Sequence, residues 1–207
     1  MTLMVGRQPI LDLNGVTYAY ELLYRGADDH AFTNLHGDEA TSNVINNSFY
    51  SAEFGSVSSG KKSFINFTAQ LILDEVWRIL PKQDVVIELL ENIEPTPEII
   101  QAVQNLKNHG YILALDDMVY RANLQPLIDL ADIIKVDVRD TDPKTIQKLA
   151  QTLLGQGKRL LAEKVETLQE FKDCRTWGYT LFQGFFFARP EIIESKQSTG
   201  SKLSKIR

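Results

Sequence analysis

The chain has 207 residues, of which 43% are hydrophobic and 24% are charged, and its formal net charge is −5. These values are typical of a globular chain with one domain or two small ones. A single cysteine, Cys174, excludes a disulfide framework and a cysteine-rich zinc site. Lys and Arg form no basic stripe, which argues against a nucleic acid polymer as a partner.

The N-terminal segment and the hydropathy pattern bear on location. Residues 1–9 are too short and too polar for the apolar region of a signal peptide. No apolar run approaches the roughly 20 residues needed to cross a bilayer. We therefore expect a cytoplasmic protein with no membrane span.

The first elements along the chain are predicted to be a hairpin and a helix. Residues 5–13 and 17–25 flank Asn14-Gly15, and Asn-Gly is the strongest short-range hairpin signal. The first strand is therefore expected to pair antiparallel with the second. Residues 38–54 are predicted to form a helix that Asp38 caps.

Strands then alternate with helices. Nearly continuous apolar runs predict buried strands at residues 64–66, 85–88, 112–116, 133–137, 160–163 and 180–183. Helical periodicity predicts helices at residues 68–80, 97–108, 142–155 and 167–177. This alternation indicates βα units and a parallel sheet.

The end of the chain has a different composition. Residues 195–207 are rich in Ser and Lys and include Gly200, which is typical of a linker. A frayed terminus and a join to a downstream domain both fit this composition. We expect one domain at residues 1–194 and a tail at residues 195–207.

Polar side chains close the predicted strands one after another. The set consists of Glu21, Asn66, Glu88, Asp116 with Asp117, Lys135 with Asp137, Glu163 and Gln183. If the sheet closes as a barrel, the carboxyl ends of its parallel strands ring one mouth, where active sites lie. Each residue taken singly also has a structural explanation, such as a helix cap at Asp116-Asp117. The coincidence of position favours a site.

The carboxylates of this set predict a bound cation. Close carboxylates raise one another's pKa values unless a cation is present. Oxygen ligands without sulfur select hard cations such as magnesium, manganese or calcium. Magnesium or manganese beside Lys135 suits phosphoryl chemistry, because the metal lowers the pKa of bound water. An enzyme acting on carbohydrates or sugar phosphates is an alternative, since a barrel alone does not define a function.

Several segments resemble the motifs of the EAL domain family, in the same order over nearly the whole chain. Tyr20-Glu-Leu-Leu-Tyr-Arg25 resembles the signature segment, and Gln8-Pro-Ile10 resembles the opening strand. The other matches are Phe64-Ile-Asn66, Glu88-Leu-Leu-Glu91, Asp116-Asp117, Lys135-Val-Asp137, Glu163-Lys-Val-Glu166 and Gln183-Gly-Phe185. The resemblance implies a TIM-like (β/α) barrel of the EAL type with an antiparallel N-terminal hairpin strand.

The resemblance also implies roles for these residues in hydrolysis of cyclic di-GMP to pGpG with two divalent cations. Cation ligands would be Glu21, Asn66, Glu88, Asp116 and Asp117. Lys135 would contact the attacking water, and Glu163 would act as the base or as a partner of the metal. Substrate contacts would come from Arg25, Asp137 and Gln183, and Glu91 would brace the loop after its strand.

The chain departs from the family pattern at several places, among them Leu22 for the alanine of the signature and Leu90 for a threonine. The loop after the paired aspartates is Met118-Val-Tyr-Arg-Ala-Asn123, without the glycines and serine usual there, and Lys164 replaces a glycine beside Glu163. We therefore expect weak or absent hydrolysis, with an active phosphodiesterase and a protein-interaction module without nucleotide binding as alternatives. The compact pattern resembles EAL domains that precede an HDOD domain, so a downstream signalling domain is an expected partner. A homodimer is also expected from the resemblance.

Overall fold

The structure is a computed structural model that describes residues 2–24, 57–116, 121–139 and 141–196. Nine strands form one sheet within these ranges. They are β1 (Thr2–Asp12), β2 (Thr17–Tyr24), β3 (Lys62–Phe67), β4 (Val85–Leu89), β5 (Ile112–Leu115), β6 (Ile133–Asp137), β7 (Arg159–Glu163), β8 (Leu181–Phe182) and β9 (Glu191–Lys196).

Helices follow most of the parallel strands. The α-helices of the described ranges are α1 (Ala69–Leu73), α2 (Pro97–Asn108), α3 (Gln125–Leu130), α4 (Pro143–Gly155) and α5 (Leu168–Thr176). Each of α2, α4 and α5 begins at a side-chain cap, from Thr96, Asp142 and Thr167 respectively. Such caps satisfy amide groups that the first helical turn leaves without partners.

The sheet closes on itself as an eight-stranded barrel. Strands β2 to β8 are parallel neighbours in chain order, and β1 joins the two ends of this series by pairing antiparallel with β2 and with β8. Strand β9 pairs antiparallel with the first half of β1, outside the ring. The predicted TIM-like barrel with an antiparallel hairpin strand is thereby confirmed.

One buried residue from each barrel strand fills the barrel interior. The layer consists of Ile10, Ala19, Phe64, Val86, Ala114, Ile133, Leu161 and Leu181. The larger part of the core lies outside the ring, where the opposite faces of the strands pack against the helices. A strand buried on both faces must be apolar at nearly every position, which is why these strands read as continuous apolar runs.

Three elements differ from the sequence predictions. The helix predicted at residues 68–80 is interrupted, because Glu75 has a left-handed φ of 52° between α1 and a 3₁₀ turn at Val76–Ile79. Helix α3 was not predicted, although Pro126 in its first turn is a helix-start signal. Strand β9 was not predicted either, and it extends to Lys196, inside the segment expected to be a tail.

Some predictions lie outside the described residues. These are the helix at residues 38–54, the positions of Arg25 and Asp117, and the tail beyond Lys196. Within the described ranges, no helix combines the length and the apolar character needed to cross a membrane.

Candidate active site at the barrel mouth

The strand pleat carries the predicted site residues to the barrel mouth. Side chains at positions i and i+2 of a strand share a face. On strands β2 to β8, the residue two positions beyond each member of the interior layer is therefore directed into the barrel, one level nearer the carboxyl ends. These residues are Glu21, Asn66, Glu88, Asp116, Lys135, Glu163 and Gln183. The polar residues at the strand ends were predicted to converge at one mouth. They do so because each follows the interior layer of its strand by the same two positions.

The ammonium group of Lys135 lies at the centre of this ring. Its Nζ is 2.8 Å from Asp116 Oδ1 and 2.9 Å from Glu163 Oε1. It also donates to Glu88 Oε1 and is 3.8 Å from Glu21 Oε2. Only 1% of the Lys135 side chain is exposed. One buried cation is thus shared by four carboxylates, three on strands β2, β4 and β7 and one directly after β5.

Burial and charge act in opposite directions on these groups. Burial raises the pKa of Glu88 well above its ordinary value, although the nearby Lys135 opposes this shift. Burial likewise raises the pKa of Glu163 well above its ordinary value. Burial alone would lower the pKa of Lys135, but the surrounding carboxylates raise it well above the usual value. Burial acts to raise the pKa of Asp116 too, but Lys135 outweighs it and the pKa is lowered.

Gln183 connects the cluster to the antiparallel strand β1. Its Nε2 donates to Glu21 Oε2 at 2.6 Å and to Gln8 Oε1 at 3.0 Å. Gln8 in turn donates to the backbone oxygen of Ala188. Gln8 was not among the predicted site residues. Because β1 runs in the opposite direction, the mouth residue on this strand precedes Ile10 of the interior layer by two positions instead of following it, and this reversed offset is the signal that could have found it.

The remaining predicted residues lie at the rim or beyond it. Asp137 is two residues after Lys135 on β6, opposite Glu163 of β7, and forms an ion pair with Lys164. Glu91 lies exposed in the turn after β4, and its bracing role stays a prediction. The structure brings together all the predicted residues that it describes except Glu91.

The donor atoms at the mouth have the chemistry that a hard divalent cation requires. Glu88 Oε2 and Glu163 Oε2 are buried and have no hydrogen-bond partner among the described residues. If all were ionised, the four carboxylates would exceed the charge of Lys135 by three, and a cation would offset this excess. In the described ranges, however, the carboxylates converge on the Lys135 ammonium, and no three acidic, His or Cys side chains are arranged around a separate cation position.

Together, the fold and the mouth define an α/β barrel of the TIM type with a buried carboxylate and lysine cluster at the carboxyl ends of its parallel strands. A sequence model of the EAL domain matches residues 54–190. The chain therefore belongs to the EAL domain family, which confirms the resemblance seen in its motifs.

Two curated proteins are similar over almost the whole chain. YuxH of Bacillus subtilis, a protein described as uncharacterised, is 38% identical over 199 residues, which cover 93% of this chain and 48% of YuxH. The cyclic di-GMP phosphodiesterase CdgJ of Vibrio cholerae is 37% identical over 198 residues, which cover 94% of this chain and 46% of CdgJ. The chain thus spans about half the length of both relatives.

Solved structures share the fold. The Bacillus subtilis YkuI protein, solved with cyclic di-GMP and calcium, has a TM-score of 0.74 and 18% identity, over 93% of this chain and 56% of YkuI. Klebsiella pneumoniae BlrP1, solved as a manganese and cyclic di-GMP complex, has a TM-score of 0.71 and 23% identity, over 93% of this chain and 60% of BlrP1. At these identities the likeness concerns the fold.

Proposed function

We propose that the barrel mouth binds cyclic di-GMP together with a divalent cation, and that the chain is a module of bacterial cyclic di-GMP signalling. The observation that carries this proposal is the convergence of four carboxylates and Lys135 at the mouth of an EAL domain barrel. The relationship to CdgJ and the ligands of the YkuI and BlrP1 structures support it.

The cation ligands proposed are Glu21, Asn66, Glu88 and Asp116, with Asp117 facing a second cation. Magnesium or manganese would suit these oxygen donors. A bound ion of this kind would supply an activated water and offset the phosphate charge.

Two buried residues are proposed to act directly in the reaction, one by its positive charge and the other by accepting a proton. Lys135, held between Asp116 and Glu163, keeps a fixed positive charge beside the place where a phosphate would react. Burial raises the pKa of Glu163, and a more basic carboxylate is a better proton acceptor. Arg25, Asp137 and Gln183 are proposed to contact the substrate, and Glu91 to brace the adjacent turn.

The rate of hydrolysis is proposed to be weak or absent. The loop from Met118 to Asn123 lacks the glycines usual after the paired aspartates, and Lys164 stands where the family has glycine. The second candidate function is an active cyclic di-GMP phosphodiesterase, which the similarity to CdgJ favours.

Partners and location are also proposals. A downstream signalling domain, such as an HDOD domain, is consistent with relatives about twice as long as this chain. A homodimer and a cytoplasmic location stay predictions.

Turnover and binding should be measured on the same protein. The chain is incubated with cyclic di-GMP and manganese or magnesium, and linear pGpG is followed by chromatography. Binding is measured by calorimetry in calcium, which the YkuI complex contains. If the mouth is the site, Glu21→Ala should abolish binding or turnover, and Glu163→Gln should lower any turnover by about 100-fold or more. The control is Glu98→Gln, an exposed acid on the outer helix α2.

Each outcome selects one candidate. Product that disappears in Glu21→Ala and persists in Glu98→Gln would establish the phosphodiesterase. Binding that depends on Glu21 without product would establish a receptor. Neither binding nor product from a folded protein would contradict the proposal and favour a protein-interaction module.

A further inference from the structure

A second lysine stands at the rim, in a backbone conformation that is unfavourable for its type. Lys164, directly after Glu163, has a φ of 56°. The left-handed region is unfavourable for an L-residue with a side chain, whereas glycine adopts it freely. Strained residues persist where the surrounding structure dictates their conformation, and they cluster at functional sites.

The backbone on both sides of Lys164 is held by neighbouring strands. Val138 N donates to Glu163 O at 3.3 Å, and Val165 N donates to Gln183 O at 3.0 Å. Gly184 packs so closely that an added Cβ would lie 2.1 Å from Val165 O. The turn is thus confined between the ends of β6 and β8, and the conformation of Lys164 follows from the barrel.

The Lys164 side chain places a second ammonium group on a mouth carboxylate. Its Nζ forms an ion pair with Asp137 Oδ2. Asp137 shares a face of β6 with Lys135, so it lies one level farther out along the mouth. Its side chain is 11% exposed, whereas that of Lys164 is 52% exposed. The mouth therefore has an inner lysine among four carboxylates and an outer lysine on a fifth.

We propose that Lys164 is a tethered cation that occupies Asp137 and thereby weakens the binding of divalent cations at the mouth. The inference rests on the proposed cation-dependent function. A divalent ion that enters from solvent meets the Lys164 charge first, and any contribution of Asp137 to its binding requires that the ion pair open. Like charges repel, and at short range solvent screens this repulsion only in part. Lys164 would thus set the free cation concentration that the site requires.

Calorimetric titration of the folded chain with Mn²⁺ tests this proposal. Lys164→Met removes the charge and keeps the strained backbone, and it should tighten Mn²⁺ binding on the order of tenfold. Lys164→Gly removes charge and strain, and it should tighten binding equally while raising the melting temperature without metal. Lys164→Arg should retain the wild-type affinity. Lys148→Met, at an exposed position of helix α4, is the matched control and should change nothing.

A double-mutant comparison separates the ion pair from a general charge effect. If Lys164 acts by occupying Asp137, then Lys164→Met should give a much smaller gain in an Asp137→Asn background. An equal gain in both backgrounds would overturn the proposed role of the pair.

The failures can be told apart. Mn²⁺ binding to the wild type that is unchanged in Lys164→Met would overturn this inference and leave the proposed function standing. Tightening in Lys164→Gly alone would assign the effect to backbone strain and would also overturn it. No Mn²⁺ binding by any variant would overturn both the inference and the cation-dependent function.

Discussion

At the residue scale, the dominant feature of the molecule is one buried ammonium group that forms ion pairs with four carboxylates. Lys135 is 1% exposed and Glu88 is fully buried. Removing one partner of a buried ion pair leaves an uncompensated charge, which is far more costly than losing an exposed pair. Both the stability of the mouth and its proposed chemistry therefore depend on Lys135.

The substitution Lys135→Met should destabilise the fold by about 3–5 kcal/mol at pH 8. The pKa of Lys135 is raised, so its contribution is complete below the usual lysine pKa and is lost only as the pH rises through the folded value. The pKa values of Glu88 and Glu163 are also raised, so falling pH protonates them in the folded state first. The loss in free energy of unfolding caused by Lys135→Met should therefore be smaller at pH 5.5 than at pH 8.

Urea unfolding at the two pH values measures this difference, with Lys148→Met as the exposed control. A loss at pH 8 no larger than that of the control would show that the carboxylates do not need Lys135.

Cys174 is a second residue whose surroundings define its chemistry. It is 1% exposed, and burial together with Asp173 and Glu170 raises its pKa from 9.0 to about 12. The thiolate is the reactive form, so the native protein should have roughly a thousandfold less of it than an exposed cysteine at pH 8. Labelling with a thiol reagent should be slow in buffer and fast in urea. Rapid labelling of the folded protein would contradict the burial.

At the element scale, the junction between β7 and β8 depends on one glycine. Gly184 has a φ of 154°, and an added Cβ would lie 2.1 Å from Val165 O and 2.3 Å from Val165 N. Val165 also exchanges hydrogen bonds with Gln183 and Phe186 across this contact. A side chain at position 184 would have to separate the two strand ends.

The substitution Gly184→Ala should lower the free energy of unfolding by about 1–3 kcal/mol, because backbone atoms must move to admit the methyl group. Gly155→Ala is the matched control. Gly155 ends helix α4 with nothing within 4 Å of its added Cβ, so alanine there should be neutral or stabilise by up to about 1 kcal/mol. Equal effects in urea unfolding would refute the close contact.

At the scale of the whole molecule, the barrel is closed by a strand that also pairs outside it. The first half of β1, from Thr2 to Arg7, pairs with β9, and Arg7 forms an ion pair with Glu191 at 2.7 Å. Strand β9 thus covers an edge that would otherwise be open to solvent.

Two truncations test the role of β9 in the whole fold. A chain ending at Pro190 loses β9, and a loss of about 2 kcal/mol would lower the melting temperature by about 4–8 °C. A chain ending at Lys196 keeps β9, and from the composition of the tail we expect its melting temperature to stay unchanged. A large fall for the longer chain would contradict the tail prediction, and no fall for the shorter one would contradict the role of β9.

The amino-acid sequence by itself determined the alternation of strands and helices, the hairpin at Asn14-Gly15 and the polar residues that end the strands. Parallel strands have their carboxyl ends at one mouth, so local patterns were enough to predict that Glu88, Lys135 and Glu163 meet. Helix 68–80 was wrong because the left-handed Glu75 breaks it, which periodicity does not reveal.

Only the tertiary structure decided which groups touch. The sharing of Lys135 among four carboxylates and the contact of Gln8 with Gln183 depend on barrel closure and strand register. The pair of Lys164 with Asp137 depends on a left-handed turn confined by its neighbours. These contacts join residues far apart in the chain, and no local pattern specifies which of many possible registers brings them together.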